Sequence, residues 1–307
     1  MIFNNSLNFI NNSFIFFKKR IRSLYLNSNI YNKKITPSII GSLEYRPSPS
    51  LLDSLIKYDK IKINIEKYSL NNIWDNKRLI SKDFKNLNSF FWLFSLDLKS
   101  SKKDIQKVIQ QWIDKNHRYS SKSWEVDIVA KRIIAWTSNS RLTYEDGSPN
   151  YKDNFNSIIK KQINYLIDEI ERSDWVNDKM IGCAAVILTG LSYQDKNSYL
   201  DKGLNLLKKF VKYSLDNDGF PKSRNIRQLN FYLKYFILIR EWLRESQSEI
   251  PDHINENIYY LGQAYAFTWK NNKVDLLFNG NHETNNNDFD RYLKKLGYNF
   301  KCQSNEL

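Results

Sequence analysis

The sequence has few of the residues that break or cross-link a chain. Its 307 residues include nine glycines, six prolines and two cysteines. So few turn-forming residues argue against a β-rich protein, and the long stretches between them favour helices. Cys183 and Cys302 lie far apart, without metal-type spacing or a pairing pattern, which predicts two reduced thiols.

Histidines and long apolar runs are scarce too. None of the three histidines, His117, His253 and His282, stands at ligand spacing from a cysteine or a carboxylate. We therefore expect no metal site and no cofactor. No stretch reaches the ~18 apolar residues that a membrane-spanning helix requires, which predicts no transmembrane segment.

The first 50 residues differ from the rest. Asparagines mixed with Phe and Ile precede a basic cluster, Lys18-Lys19-Arg20-Ile21-Arg22. A secretory signal has the opposite order, with its positive charge ahead of the apolar run, so localisation stays open between cytoplasm and periplasm. A cluster of breakers at residues 46–50 closes the segment. We expect an irregular basic segment over residues 1–50, interfacial or disordered, and a helical domain over residues 51–307.

The net charge indicates a polyanionic partner only weakly. It amounts to +14, from 47 basic and 33 acidic side chains. The lysines are spread along nearly every predicted helix and no nucleic-acid recognition motif accompanies them, so we expect a solvated surface and no nucleic-acid partner. Aromatic residues make up 15% of the chain, including eight tryptophans. That content suits a packed helical core, a carbohydrate cleft or a base-stacking cleft.

Apolar residues recur at helical spacing along most of the chain. In residues 102–116, for example, Ile105, Val108, Ile109, Trp112 and Ile113 form one stripe. Similar patterns predict helices at 51–58, 123–136, 155–170, 180–191, 199–211, 226–246, from Pro251 onward, and at 288–296. Small residues at 182–185 would let another helix approach closely. Residues 266–278 predict a small β-ribbon that ends at Asn279-Gly280.

Short loops between these helices predict antiparallel hairpins. Hairpins of this kind accumulate as a bundle, a solenoid or a closed ring, and no internal repeat decides among the three.

The stretch from Asp216 to Ser246 organises the chain. A loop rich in turn residues leads into a helix that is apolar around most of its circumference, which indicates a buried helix. The loop would bring Lys222, Ser223, Arg224 and Asn225 to the mouth of the core, where a helix N-terminus favours an anion. Alternatively, Ser223 and Asn225 compete for the cap position while Arg224 pairs with a surface acid.

Three stretches resemble the heparinase II/III family of polysaccharide lyases, in particular its divergent bacterial branch. The first is Leu87-Asn88-Ser89-Phe90-Phe91-Trp92-Leu93 with Trp112-Ile113 and Trp124 to Trp136, including Lys131-Arg132 ahead of Trp136; the second is Asn177 to Gly190; the third is Asp218-Gly219-Phe220-Pro221-Lys222-Ser223-Arg224-Asn225, joined by Leu277-Phe278-Asn279-Gly280. The resemblance covers roughly residues 20–300. It implies an all-α fold, an incomplete (α/α) toroid of antiparallel hairpins.

The resemblance also implies β-elimination on a uronic-acid polysaccharide, such as a glycosaminoglycan. A group neutralises the sugar carboxylate, a base removes the C5 proton, and an acid protonates the leaving oxygen. Family members use Asn or His for neutralisation and Tyr for the proton transfers. The matching Asn is Asn177, which could instead cap the helix at Met180. Tyr232 is the candidate base, or alternatively a core residue.

Arg132, Lys222, Ser223, Arg224 and Asn225 are then candidates for substrate binding. Trp124 and Trp136 are candidate sugar platforms, with core packing as the alternative.

The sequence departs from the family at two positions and in length. Pro221 stands where the family loop has His, and Gln228 where active lyases carry Tyr. The family's toroid is normally followed by a β-sandwich, which could be encoded separately as a partner. We therefore expect a lyase-type domain that binds an acidic polysaccharide with weak or no activity alone, because it is either a truncated form or a helical part that works with a partner. The alternative is a non-catalytic glycan-binding or assembly module.

Overall fold

The structure, a computed structural model, is built from helices. It describes residues 2–39, 41–56, 74, 81–96, 101–193, 199–270 and 286–300. The α-helices in these ranges are α1 (Ile2–Leu26), α2 (Asn29–Ile35), α3 (Pro49–Ile56), α4 (Ser81–Ser89), α5 (Lys102–Asn116), α6 (Val126–Ser138), α7 (Ser140–Thr143), α8 (Pro149–Glu169), α9 (Val176–Tyr193), α10 (Tyr199–Ser214), α11 (Ile226–Glu245), α12 (Asp252–Tyr265) and α13 (Asn287–Lys295). Within them no β-sheet forms, and Leu215 and Pro221 make one isolated antiparallel bridge. The all-α prediction is confirmed.

Sequence pattern and capping agree best in α5. The helix has the bounds predicted from the apolar stripe, and the five residues of that stripe are buried. Ser101 caps its N-terminus by accepting the backbone N–H of Asp104 at 3.3 Å. The amphipathic face and the cap therefore specify the same helix.

Consecutive long helices pair as antiparallel hairpins. Between α6 and α8, Arg132 contacts Gln162 and Trp136 stacks on Phe155, so the numbering rises in one helix as it falls in the other. In the same way α9 pairs with α10, where Gly190 meets Leu200 and Gly203 meets Ile187, and α11 packs against α12, where Arg240 donates to Asn255 at 2.9 Å.

The α9–α10 contact depends on glycine. A Cβ atom on Gly190 would lie 2.3 Å from the backbone nitrogen of Leu200, and one on Gly203 would lie 2.7 Å from the Ile187 side chain. The two backbones therefore approach to a distance that only glycine permits. Gly182, one of the small residues noted in the sequence, packs against Ile170 instead.

Helices α6, α9 and α11 run in the same direction. Gly182 near the start of α9 lies close to Val126 at the start of α6, and Asn177 at the start of α9 contacts Gln228 at the start of α11. The N-terminal ends of these three helices consequently lie at one edge of the molecule. That edge contains the candidate site.

The prediction of an irregular segment over residues 1–50 is wrong for most of its length. Helices α1 and α2 occupy residues 2–35, and Tyr31 and Ile35 are buried in the main hydrophobic core. Arg22 pairs with Glu169 of α8, an interaction between distant residues that local sequence does not reveal. The division into domains at residue 50 stays a prediction.

The predicted β-ribbon is also corrected. Residues Ala266–Lys270 form a π-helical turn that extends α12, because the chain continues in helical conformation past Tyr265. Ala266 and Trp269 are buried there. The second half of the predicted ribbon lies outside the described residues. Among the described helices, none is long and apolar enough to cross a membrane.

Candidate functional site

Gln228 connects the two parts of the predicted site. Its Nε2 atom donates to Asn177 Oδ1 at 3.0 Å, and its Oε1 atom accepts a hydrogen bond from the Ser223 hydroxyl. Asn177 lies in the first turn of α9 and is exposed. Asn177 and the loop at 223–225, which sequence analysis assigned to one site, therefore lie on the same face.

Helix capping positions Gln228. Asn225 is the N-cap of α11 and accepts the backbone N–H of Gln228 at 3.2 Å. The N–H of Asn225 in turn donates to Ser223 Oγ at 3.2 Å. Of the two candidates for the cap position, Asn225 occupies it. Gln228 stands one turn into the helix, where its side chain reaches both Ser223 and Asn177.

The loop at residues 216–224 is held by its own side chains. Asp216 accepts the backbone N–H of Phe220 at 2.8 Å and pairs with Arg224 at 2.6 Å. Arg224 has a left-handed backbone with φ of 56°, and its guanidinium lies over the Phe220 ring at 5.6 Å. The alternative, pairing of Arg224 with an acid, is thus observed. The Arg224 side chain is still more than half exposed, so it can contact a ligand.

Exposed basic and aromatic side chains surround this junction. Lys222 donates to the Lys212 carbonyl at 3.0 Å and keeps its ammonium at the surface. Lys179 lies over the Tyr213 ring at 4.9 Å. Trp175, two residues before Asn177, is 73% exposed. An exposed tryptophan beside polar amides offers a flat apolar surface of the kind on which sugar rings stack.

Asp178 has a carboxyl group with an unusual environment at the same edge. Burial, followed by the negative charge of Asp127, raises the pKa of Asp178 to about 6. The Ser173 hydroxyl donates to Asp178 at 3.2 Å and Lys131 pairs with Asp127 at 3.2 Å, and both interactions act in the opposite direction. Asp178 therefore changes protonation near neutral pH.

Three of the predicted substrate-binding residues lie in the core. Arg132, Trp124 and Trp136 are all fully buried. Trp136 packs against Trp112 with ring centroids 5.5 Å apart, and the Trp124 indole donates to the Asn116 carbonyl at 3.1 Å. Both tryptophans fill the interior, which is the alternative of core packing given in the sequence analysis. Their assignment as sugar platforms is corrected.

Arg132 binds neighbouring protein groups and has no surface position from which to bind a ligand. Its guanidinium donates to Gln162 Oε1 at 3.1 Å and to the carbonyl oxygens of Asn88 and Ser123 at 2.9 and 3.1 Å. The Trp112 ring lies 3.9 Å away. Burial lowers the pKa of Arg132 well below its ordinary value, while these contacts stabilise the charged form. Arg132 joins α4, α6 and α8 and does not reach the surface.

Tyr232, the predicted base, is buried in α11. Its ring packs edge-on against Phe210 with centroids 5.0 Å apart. Burial raises the pKa of its hydroxyl well above the ordinary value, although the Ser214 hydroxyl acts in the opposite direction. A buried hydroxyl that resists ionisation cannot take a proton from a bound polymer in this conformation.

Sequence reasoning missed three residues of this edge. Gln228 was noted only as a departure from the family's tyrosine, and its role as a connector depends on the packing of α9 against α11. Trp175 carries a signal in the sequence, because it stands in a polar turn outside any apolar stripe. Asp178 carries none, because its pKa depends on the approach of Asp127 from another helix. Among the described residues, no group of acidic, His and Cys side chains could hold a metal.

Comparisons with known proteins identify the fold. No protein-family model matches the sequence, and no curated protein sequence does either. Among solved structures, heparinase III matches with a TM-score of 0.57 at 16% identity, over 88% of this chain and 49% of that one. A heparinase III structure with methylated lysines matches with a TM-score of 0.58 at 14% identity, over 85% of this chain and 47% of that one. The heparan sulfate lyase HepC from Pedobacter heparinus matches with a TM-score of 0.52 at 13% identity, over 73% and 38%.

The chain thus has a heparinase-like helical fold and spans about half the length, or less, of the structures it matches. The resemblance inferred from the sequence motifs agrees with this fold.

Proposed function

We propose that this chain is a polysaccharide-lyase-type domain that binds an acidic, uronate-containing polysaccharide at the α9–α11 edge. The observation that supports the proposal is the contact between Asn177 and Gln228 beside Ser223. It places amide and hydroxyl groups together where the helix N-termini favour a carboxylate.

Asn177 is the proposed partner of the substrate carboxylate. Its Oδ1 atom already accepts from Gln228, which orients the amide and leaves its Nδ2 donors for a ligand. Lys222 and the exposed part of Arg224 add positive charge nearby. Trp175 is the proposed platform for a sugar ring, in the role that sequence analysis gave to the two buried tryptophans.

The described part of this site has no evident side chain for the proton transfers of the elimination. Gln228 cannot act as a base near neutral pH, and the Tyr232 hydroxyl is buried. Acid–base groups contribute ~10²–10⁴-fold each, so a domain without them retains little turnover. We therefore propose weak or no cleavage by this chain alone, with a separately encoded β-sandwich as a proposed source of further groups. A glycan-binding module without catalysis is the second candidate, and the same side-chain environments favour it.

The test combines binding with cleavage. Binding of uronic-acid polymers to residues 1–307 is measured by isothermal titration calorimetry, and elimination by the ultraviolet absorbance of the unsaturated uronate product. We expect salt-sensitive binding that weakens in Asn177→Ala and is unchanged in Asn154→Ala, a change in α8 away from this edge, where Asn154 faces Gln110 of α5. Two results would contradict the proposal. One is equal binding of polymers with and without uronic acid, and the other is no binding to any polyanion at low salt.

A further inference from the structure

Helix α1 presents an apolar stripe to solvent. Phe14, Phe17, Ile21 and Leu24 follow each other at intervals of three or four residues, so they share one face of the helix. Their exposed fractions are 57, 61, 51 and 68%. In the sequence the same spacing continues toward the N-terminus through Phe3, Leu7 and Ile10. The four described side chains alone form more than the scattered exposed apolar residues of an ordinary surface.

A different face of α1 holds the helix to the body of the protein. Lys19 pairs with Asp174 at 2.6 Å, and Arg22 donates through Nε to Glu169 at 2.9 Å. Leu26, further along this face, is buried in the core. The helix is therefore docked through residues 19, 22 and 26. The stripe lies on the other side, where the described residues do not cover it.

Every charged side chain in the segment around the stripe is basic. Residues 1–43 contain six Lys or Arg side chains and no Asp or Glu. Three of the six are neutralised by acids of the body, since Lys34 pairs with Asp168 in addition to the two pairs above. Lys18 and Arg20 flank the stripe, and the Lys18 ammonium lies 4.5 Å from the Phe14 ring centroid. Their positive charge borders the apolar surface on both sides.

We propose that α1 attaches this protein to an anionic lipid surface. Phenylalanine and aliphatic side chains on one face, with Lys and Arg beside them, are what a helix needs to lie in the interfacial plane of a membrane. The helix does not meet the requirements of a spanning segment, so attachment is peripheral. The ion pairs of Lys19 and Arg22 leave the stripe free to enter the lipid while the domain remains docked behind it.

A second copy of the chain fits this face less well. Two stripes packed together would bring Lys18 and Arg20 close to the same basic residues of the other copy, and like charges that flank an apolar seam are destabilising. Anionic headgroups have the complementary charge over the whole basic segment. Charge therefore favours lipid over self-association.

The test uses residues 1–307 and sedimentation with vesicles. Vesicles of phosphatidylcholine and phosphatidylglycerol at about 3:1 are compared with pure phosphatidylcholine, at about 50 and 500 mM NaCl. We expect at least roughly tenfold tighter binding to the anionic vesicles at low salt, weakened at high salt. Phe14→Ser/Phe17→Ser should reduce that binding by at least about tenfold, because each ring contributes apolar area. Lys18→Gln/Arg20→Gln should reduce the preference for anionic vesicles.

The matched control is Tyr259→Ser/Phe267→Ser, which removes two exposed aromatic side chains, one in the middle of α12 and one just beyond its end. It should bind vesicles as the wild type does. All substituted side chains are exposed, so circular dichroism should show unchanged helicity. Absence of vesicle binding at low salt would overturn the proposal, as would equal binding by the wild type and the double Phe variant. A dimer in light scattering that the Phe variant disrupts, without vesicle binding, would assign the stripe to a second copy instead.

Discussion

The amide of Gln228 donates to the amide oxygen of Asn177 at 3.0 Å, and this bond joins the first turns of α11 and α9. The two residues are 51 positions apart in the sequence. Their contact is the point at which the loop before α11 meets the residue proposed to bind a carboxylate. Gln228 is also the position at which the sequence resemblance predicts the tyrosine of active lyases, so it is the natural place to test the chemistry.

Replacing Gln228 with tyrosine should increase elimination. The new hydroxyl would stand beside Asn177, where a proton-transfer group is missing, and such groups contribute ~10²–10⁴-fold. We expect Gln228→Tyr to raise the rate of unsaturated uronate formation above that of the wild type, measured by ultraviolet absorbance. Gln228→Phe is the control because it has the ring without the hydroxyl. Equal rates for Tyr and Phe would show that the hydroxyl does no chemistry there.

Removing the Trp175 ring should weaken polysaccharide binding. Stacking of a sugar on an exposed indole contributes on the order of 1 kcal/mol, so Trp175→Ala should lower affinity by roughly 3- to 10-fold in calorimetry. Protein stability should hardly change, because the side chain is largely exposed. Tyr259→Ala removes an exposed aromatic from α12 and should leave the affinity unchanged. If both variants bind like the wild type, the platform lies elsewhere.

The carboxyl of Asp178 should make stability depend on pH. Its pKa in the folded protein is about 6, above the 3.8 of a free aspartate, so the folded state holds the proton more tightly. Stability from this group is therefore complete below about pH 4 and is lost as pH rises toward 6. Asp178→Asn should be more stable than the wild type above pH 6, by about 1–2 kcal/mol once partial exposure is discounted.

Chemical denaturation at several pH values measures that difference. It should vanish below about pH 4, where the wild-type carboxyl is protonated in both states. If the difference in the free energy of unfolding between Asp178→Asn and the wild type were the same at every pH, the substitution would act through packing and not through protonation. Asp153→Asn, in α8 away from this edge, is the matched control.

Arg132→Met should destabilise the protein without changing the site. Methionine fills much of the volume but leaves the Asn88 and Ser123 carbonyls and the Gln162 amide without the donors they have now. Unpaired buried acceptors cost ~1–3 kcal/mol each, so the free energy of unfolding should fall by about 2–4 kcal/mol after relaxation. Arg141→Met, at an exposed position, should have little effect. A large loss of glycan affinity in folded Arg132→Met would contradict the structural role.

Gly190→Ala should separate α9 from α10. The added Cβ would lie 2.3 Å from the Leu200 nitrogen and 2.6 Å from its Cα, both backbone atoms that cannot rotate away. We expect a loss of about 1–3 kcal/mol in the free energy of unfolding, measured by denaturation. Gly41→Ala meets only the end of the Lys160 side chain at 3.2 Å and should be nearly neutral. Equal stability of both variants would mean that the two helices can shift apart without cost.

Sequence reasoning succeeded where local signals agree and failed where distant contacts decide. The bounds of α5 follow from its apolar stripe, and Ser101 caps it. For α1, asparagines of low helix propensity hide the pattern, while the pairs that dock it, Lys19 with Asp174 and Arg22 with Glu169, join residues about 150 positions apart. Local sequence contains no sign of those pairs.

The same limit applies to the site. Trp136 and Trp175 are the same residue type; the polar turn around Trp175 indicates an exposed ring, but only the packed structure shows that Trp175 is exposed and Trp136 buried. The motifs assigned Asn177 and the loop at 223–225 to one place, and the structure brings them together. The connecting role of Gln228 could not be inferred, because it requires knowing that α9 and α11 begin at the same edge.

The common direction of α6, α9 and α11 has a consequence for how such a protein can change over time. Substitutions in the short segments before these three helices alter the edge that is proposed to bind the ligand, while Arg132 in α6, Gly190 in α9 and Gly203 in α10 make their buried contacts away from that edge. Selection on the ligand and selection on foldability therefore act on separate residues. Under the proposed function, a lineage could exchange one polymer for another by changing exposed residues within 173–178 and 216–228, whereas Gly219, where a Cβ atom would lie 2.3 Å from Tyr260, is fixed by packing.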